Sequence, residues 1–146
     1  MKHYWLYFLF SMSILPLLAQ DEMIVPGCAL AHTTQEQRSK GLYSEHEIVH
    51  GLSFPGGERL MYSFLRQNMR FPEKAKLAGI LKTEIIISFV VETDGSLSDF
   101  QICRDIGYGC GDEAVRIAKL MPKWFPGEAN GHPCRVWKNL KITMYP

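Results

Sequence analysis

The chain has 146 residues, a formal net charge of +1 and a hydrophobic fraction of 47%. Those values fit one ordinary soluble domain, and they exclude both a basic nucleic-acid binder and a highly charged disordered tail. The charged residues form no basic stripe, so no nucleic-acid partner is expected.

The chain opens with "MKHYWLYFLFSMSILPLLAQD", in which Lys2 precedes an uncharged apolar run over residues 4–19, with Pro16 near its end. A bilayer-spanning helix needs roughly 20 apolar residues, and this run is shorter. With the small Ala19 before Gln20 it reads as a cleavable secretory signal over residues 1–19, an uncleaved membrane anchor being the alternative. Export places Cys28, Cys103, Cys110 and Cys134 where oxidation is permitted. Four cysteines allow three pairings. Cys103 and Cys110 flank one short turn, which favours them as a pair and leaves Cys28 with Cys134; buried free thiols are the alternative. No Cys-x-x-Cys occurs, which argues against a zinc ribbon and a thioredoxin-type redox site.

Residues 20–53 read as an N-terminal extension or linker: "ALAHTTQEQRSKG" is polar, and "HEIVHGLSF" is briefly apolar before the punctuation of "FPGG". From residue 54 onward the signals become regular. "GERLMYSFLRQNM" puts Leu60/Met61, Phe64/Leu65 and Asn68/Met69 at helical spacing. "FPEKAKLAG" restarts a short helix, with Pro72 in its first turn and Gly79 at its C-terminal cap. In "TEIIISFVVETDGSLSDFQICR", Ile85, Ile87, Phe89 and Val91 share one face of a strand, Asp94-Gly95 signals a hairpin, and Phe100 and Ile102 share a face of the return strand. "GDEAVRIAKLMP" carries Ala114, Ile117, Ala118 and Met121 as a helical stripe, with Asp112 and Glu113 at its positive end. "KWFPGEANGHP" is a turn-rich connection. The closing "CRVWKNLKITM" alternates, with Trp137, Asn139, Lys141 and Thr143 opposite an apolar face on which Lys138 is the exception.

The order helix, hairpin, helix, strand predicts an α+β fold. It is a two-layer sandwich: a three-stranded antiparallel sheet of order 2-1-3, with two helices on one face. The last strand is then an edge. On the face away from the helices, Ile86, Val90 and Trp137 form an apolar strip, either open to a partner or covered by residues 42–50.

Two motifs suggest chemistry. "HEIVH" matches the zinc-protease pattern His-Glu-x-x-His, in which a helix would bring His46 and His50 to one metal beside Glu47. Position 56 is Gly where a third ligand would stand, and an extended segment would hold the imidazoles about 13 Å apart. "GYGCGD" sits where a phosphate-binding loop would, but Asp112 replaces the third glycine, so it reads as a tight turn. Cys110 beside a helix N-terminus has the setting of a reactive thiolate, without a His or Asn pattern to support catalysis.

The ordered pieces "FPGGERLMYSFLRQNMRFPEKAKLAGI", "ISFVVETDGSLSDFQI", "GDEAVRIAKLMPKWFPGEANGHP" and the alternating final strand resemble the C-terminal domain of the TonB energy transducers, in the form frequent among Bacteroidetes. The resemblance implies a TonB C-terminal-like domain over residues 54–146 and the same helix-and-sheet layer. It also implies a periplasmic, non-enzymatic module without cofactor, linked to energy-dependent outer-membrane transport. Its last strand would accept a segment of an outer-membrane TonB-dependent receptor, the TonB box, along Arg135, Trp137, Asn139, Lys141 and Thr143. The alternatives are an edge-paired homodimer and a small His-Glu-x-x-His zinc metalloprotease. Full transducers resemble an anchor joined through a long Pro-rich spacer. Here residues 20–55 hold only Pro26 and Pro55 and reach at most roughly 120 Å.

Overall fold

The computed structural model describes residues 39–48 and 50–146. The run of β-branched and aromatic residues expected as the first strand forms β2 (Thr83–Val91), and its return partner forms β3 (Leu97–Arg104). Ile85, Ile87, Phe89 and Val91 are fully buried, as period-2 alternation requires. The turn between them closes on Gly95, whose φ of +83 suits glycine, and Asp94 Oδ1 accepts the Ser96 N–H at 2.9 Å. The two expected helices are α1 (Gly57–Asn68) and α3 (Cys110–Lys119), with the short α2 (Glu73–Leu77) between α1 and β2. Pro72 is the N-cap of α2. Gly79, at φ +75, ends that helix: its N–H donates to Lys76 O and the Ile80 N–H to Ala75 O, a Schellman pattern.

The last strand is β5 (His132–Met144), and among the described residues two short strands complete the set, β1 (Leu42–Ser44) and β4 (Gly127–Ala129). The sheet order is β1-β5-β2-β3, with β4 also paired to β5. β2 lies between β5 and β3 and is antiparallel to both, so the expected three-strand core is present. The wholly antiparallel three-stranded sheet is corrected: β1 adds in parallel outside β5, and β4 makes a hairpin with it, giving a mixed sheet of five strands. Residues 42–53, expected within the extension, therefore supply one strand and two bridges, His50 to Glu128 and Ser53 to Phe125.

One core forms between the helices and one sheet face. Met61 and Leu65 of α1, Ala75 of α2, and Ala114, Ile117 and Ala118 of α3 pack with Ile85, Ile87, Phe89, Leu140, Ile142 and Met144. At one end Trp124 packs edge-on against Phe54 and Phe89, with ring centroids 5.8 and 5.7 Å apart. The Trp124 backbone N–H also donates to Gly95 O at 2.8 Å, so "FPGG", "TDGS" and "PKWFPG" meet in one cluster.

The expected cysteine pairs do not form. Cys110 and Cys134 are buried free thiols, whereas Cys103 is disulfide-bonded to neither of them. The cause is the sheet itself: Cys110 belongs to the helix-side core, while Cys103 follows Ile102 in β3 and faces the other way. Cys28 and residues 1–19 lie outside the described residues.

Candidate functional site

The geometry of β5 follows from its register. Nine consecutive pairs join it to β2, from Thr83–Met144 to Val91–Val136, without a bulge. The Arg135 N–H donates to Gly41 O at 3.2 Å, away from β2. Because backbone groups alternate sides, the peptide groups of residues 135, 137, 139, 141 and 143 all point to the outer edge. These are the five positions expected from sequence.

The structure divides them. Leu42, Tyr43 and Ser44 pair in parallel with Arg135, Val136 and Trp137, so the upper part of the edge is filled by β1. The expectation that Arg135 and Trp137 offer free edge positions is therefore corrected. The Arg135 side chain is also committed. Its guanidinium makes a bidentate pair with Glu92 at 2.7 and 2.8 Å and reaches Asp99 at 3.4 Å. That pair holds the Glu92 carboxyl below its ordinary range and raises Arg135. Trp137 is half-buried, and its indole N–H has no acceptor among the described residues. Beyond Trp137 the chain leaves the edge. Glu45 begins a 3-10 turn and pairs with Lys138, the charged exception on the apolar face. A half-buried ammonium needs such a counter-charge. Asn139 and Lys141 are exposed and Thr143 half-buried, and no strand among the described residues lies against the outer side of Lys141 and Thr143.

A groove of about 690 Å³ continues that edge toward α1. Its buried floor is Leu65 and Ile142, extended by half-buried Met69 and Phe71. Arg59, Arg66 and Lys76 line its exposed margin, with Tyr62 and Tyr145 about half-exposed beside them. Burial raises the Tyr62 phenol, with further contributions from Glu58. Sequence reasoning missed this groove. α1 was read for its core stripe, and its outer residues gain meaning only once β5 lies beside them.

The remaining candidates lose their chemistry. "HEIVH" is not helical: Glu45–Glu47 is a 3-10 turn and Ile48 is extended. The helical spacing that would join His46 and His50 on one metal is absent, and His50 instead bridges Glu128. The Glu47 carboxylate accepts the Ser44 N–H and hydroxyl, each at 2.8 Å. Val49 lies outside the described residues. "GYGCGD" is a connecting turn with positive φ at Gly107, Tyr108 and Gly109. Burial and Asp105 push the Cys110 thiol up, opposite to thiolate activation. Burial likewise raises Cys134. The strip of Ile86, Val90 and Trp137 is not open surface, since Val90 and the neighbouring Ser88 are fully buried. Residues 42–44 lie beside β5, in the sheet, instead of across that strip.

Comparison with known proteins adds two findings. The model of the family described as the Gram-negative bacterial TonB protein C-terminal matches residues 67–143. Among solved structures, the NMR solution structure of the Helicobacter pylori TonB C-terminal domain shares 26% identity. It covers 62% of this chain and 94% of that one, at a TM-score of 0.35. The search of curated proteins gave no match.

Proposed function

This chain belongs to the TonB C-terminal family, and from that premise we propose that it is a strand-accepting module of the cell envelope. The family is transport-associated and non-enzymatic, and membership ties the chain to TonB-dependent transport. In the proposed reading, an extended TonB-box-like segment of an outer-membrane receptor adds beside β5 below β1. It pairs with the outward peptide groups around Lys141 and Thr143. The single observation carrying this is the bulge-free register, which aims those groups at an edge no described strand fills.

The magnitude sets the character of the interaction. Two outward residues offer about four backbone hydrogen bonds, roughly 2–6 kcal/mol net. Micromolar binding needs roughly 8 kcal/mol. The backbone alone gives a weak, transient complex, and side-chain contacts must supply the rest. Self-pairing of the edge is disfavoured on charge: an antiparallel two-fold centred on Lys141 would set that lysine opposite its own copy.

Thr143→Pro tests the proposal. Proline removes an N–H that points outward and leaves the ladder to β2 intact. Guest affinity is expected to fall roughly threefold to tenfold, the loss of one backbone hydrogen bond, while thermal stability changes little. Unchanged affinity for receptor N-terminal peptides would contradict pairing at this position.

A further inference from the structure

The helices α1, α2 and α3 all pack on one face of the sheet, so side chains on the other face should meet water. They do not. Leu42, Ser88, Val90 and Cys103 are each at most 9% exposed, and none of them belongs to the helix-side core. Register places them together on the outer face. Val90 pairs with Trp137 and Trp137 with Ser44, while Leu42 lies two positions from Ser44 and so on the same side. This buried row runs from β1 at one edge of the sheet to β3 at the other. Two polar atoms within it, Ser88 Oγ and Trp137 Nε1, are buried without a hydrogen-bond partner among the described residues. Cys103 is disulfide-bonded, yet Cys110 and Cys134 are free thiols. The chain has 4 cysteines, and the one that remains is Cys28.

We infer that the outer face of the sheet is the docking site of the chain's own N-terminal extension, which crosses it diagonally to a Cys28–Cys103 disulfide. The distances allow it. Leu42 is level with Arg135, and Cys103 lies between the levels of Leu140 and Lys141. Three strand spacings across and that offset along the strands make about 23 Å. The chain from Cys28 to Ser39 reaches at most roughly 36 Å. A straight path between those corners passes over Trp137, Val90 and Ser88, the positions whose burial needs a cover. The composition also fits: Ala29, Leu30 and Ala31 are apolar, and Thr33, Thr34 and Gln35 carry acceptors for the two orphaned donors. In forming the bond the two thiols lose two electrons and two protons, which reduce the disulfide of an exchanging thiol oxidant to its dithiol. The inference stands apart from strand acceptance, because it occupies a face of the sheet and leaves the lower edge of β5 untouched.

The test folds the full chain under oxidising conditions and maps its peptides without reductant. A Cys28–Cys103 peptide is expected; Cys28 recovered as a free thiol, or joined to Cys134, would overturn the inference. Nuclear magnetic resonance then reads the cover itself. In the oxidised chain, nuclear Overhauser contacts should join residues 29–38 to the Trp137 indole and the Val90 methyls. Cys28→Ser should abolish those contacts. In the same variant the Trp137 indole N–H should exchange about tenfold faster or more, while that of Trp124, in the helix-side core, stays unchanged. The melting midpoint should fall by roughly 5–20 °C, as the loss of one long-range disulfide predicts. A Cys28–Cys103 bond without contacts to Trp137 or Val90 would overturn the docking. Equal acceleration at both indoles would overturn it too, by showing a general loosening of the fold instead of an uncovered face.

Discussion

Arg135 reaches from β5 to Glu92, at the end of β2, and on to Asp99 of β3, so one guanidinium ties the ends of three strands. At the helix layer Glu113 has a similar duty. It accepts both Arg116 nitrogens and the Arg70 N–H at 2.7 Å, while Arg116 also donates to Asn68 O at the end of α1. Burial alone would raise Glu113, but the Arg116 and Arg70 bonds outweigh it and the carboxyl is lowered; Glu92 is lowered chiefly by Arg135. A lowered carboxyl stabilises the fold fully above its ordinary value of 4.5, and that contribution is lost as pH falls through the folded value. Thermal melts should therefore drop steeply below about pH 4.5, and Glu92→Gln should flatten that slope. The cysteines give a second prediction. Cys110 and Cys134 are buried with raised thiols, so alkylation of the native protein should spare both and unfolding should expose both. Non-reducing peptide mapping should recover no peptide joining Cys103 to Cys110 or Cys134; a Cys103–Cys110 peptide would contradict the placement of these two on opposite faces. Gly95 gives a third. A Cβ there would stand 2.1 Å from the Trp124 carbonyl oxygen at a left-handed φ. Gly95→Ala should cost about 1–3 kcal/mol in denaturant unfolding.

Among the elements, those with long periodic patterns were legible from sequence: α1, α3, β2, β3 and β5 arise where 3.6- and 2-residue spacings persist over about eight or more residues. β1 was not, because three residues of "LYS" carry no period, and their partner lies more than ninety positions away. β4 had a signal that went unused. Asn130-Gly131 is a strong two-residue hairpin turn, and both residues have positive φ. Lys138 was visible as an anomaly on an apolar face, but its cause, Glu45, belonged to the strand that could not be foreseen. Half of the proposed site was likewise readable. The odd-numbered positions of β5 were identified, yet which of them stay open depended on β1.

For the molecule as a whole, three interlocks hold the layers together: the Trp124 cluster, the Arg135 pair and the Glu113 network. They leave β5 as a bulge-free strand paired along β2, whose upper edge is closed by β1 and whose lower edge meets the basic groove. Residue-resolved amide hydrogen exchange of the full chain, with and without a receptor N-terminal segment, tests this most directly. The free protein should show a protected Arg135 amide, held by Gly41, and fast exchange at Lys141 and Thr143; the guest should slow the latter two. Slow exchange at Lys141 and Thr143 before any guest is added, or no change on adding it, would contradict the account.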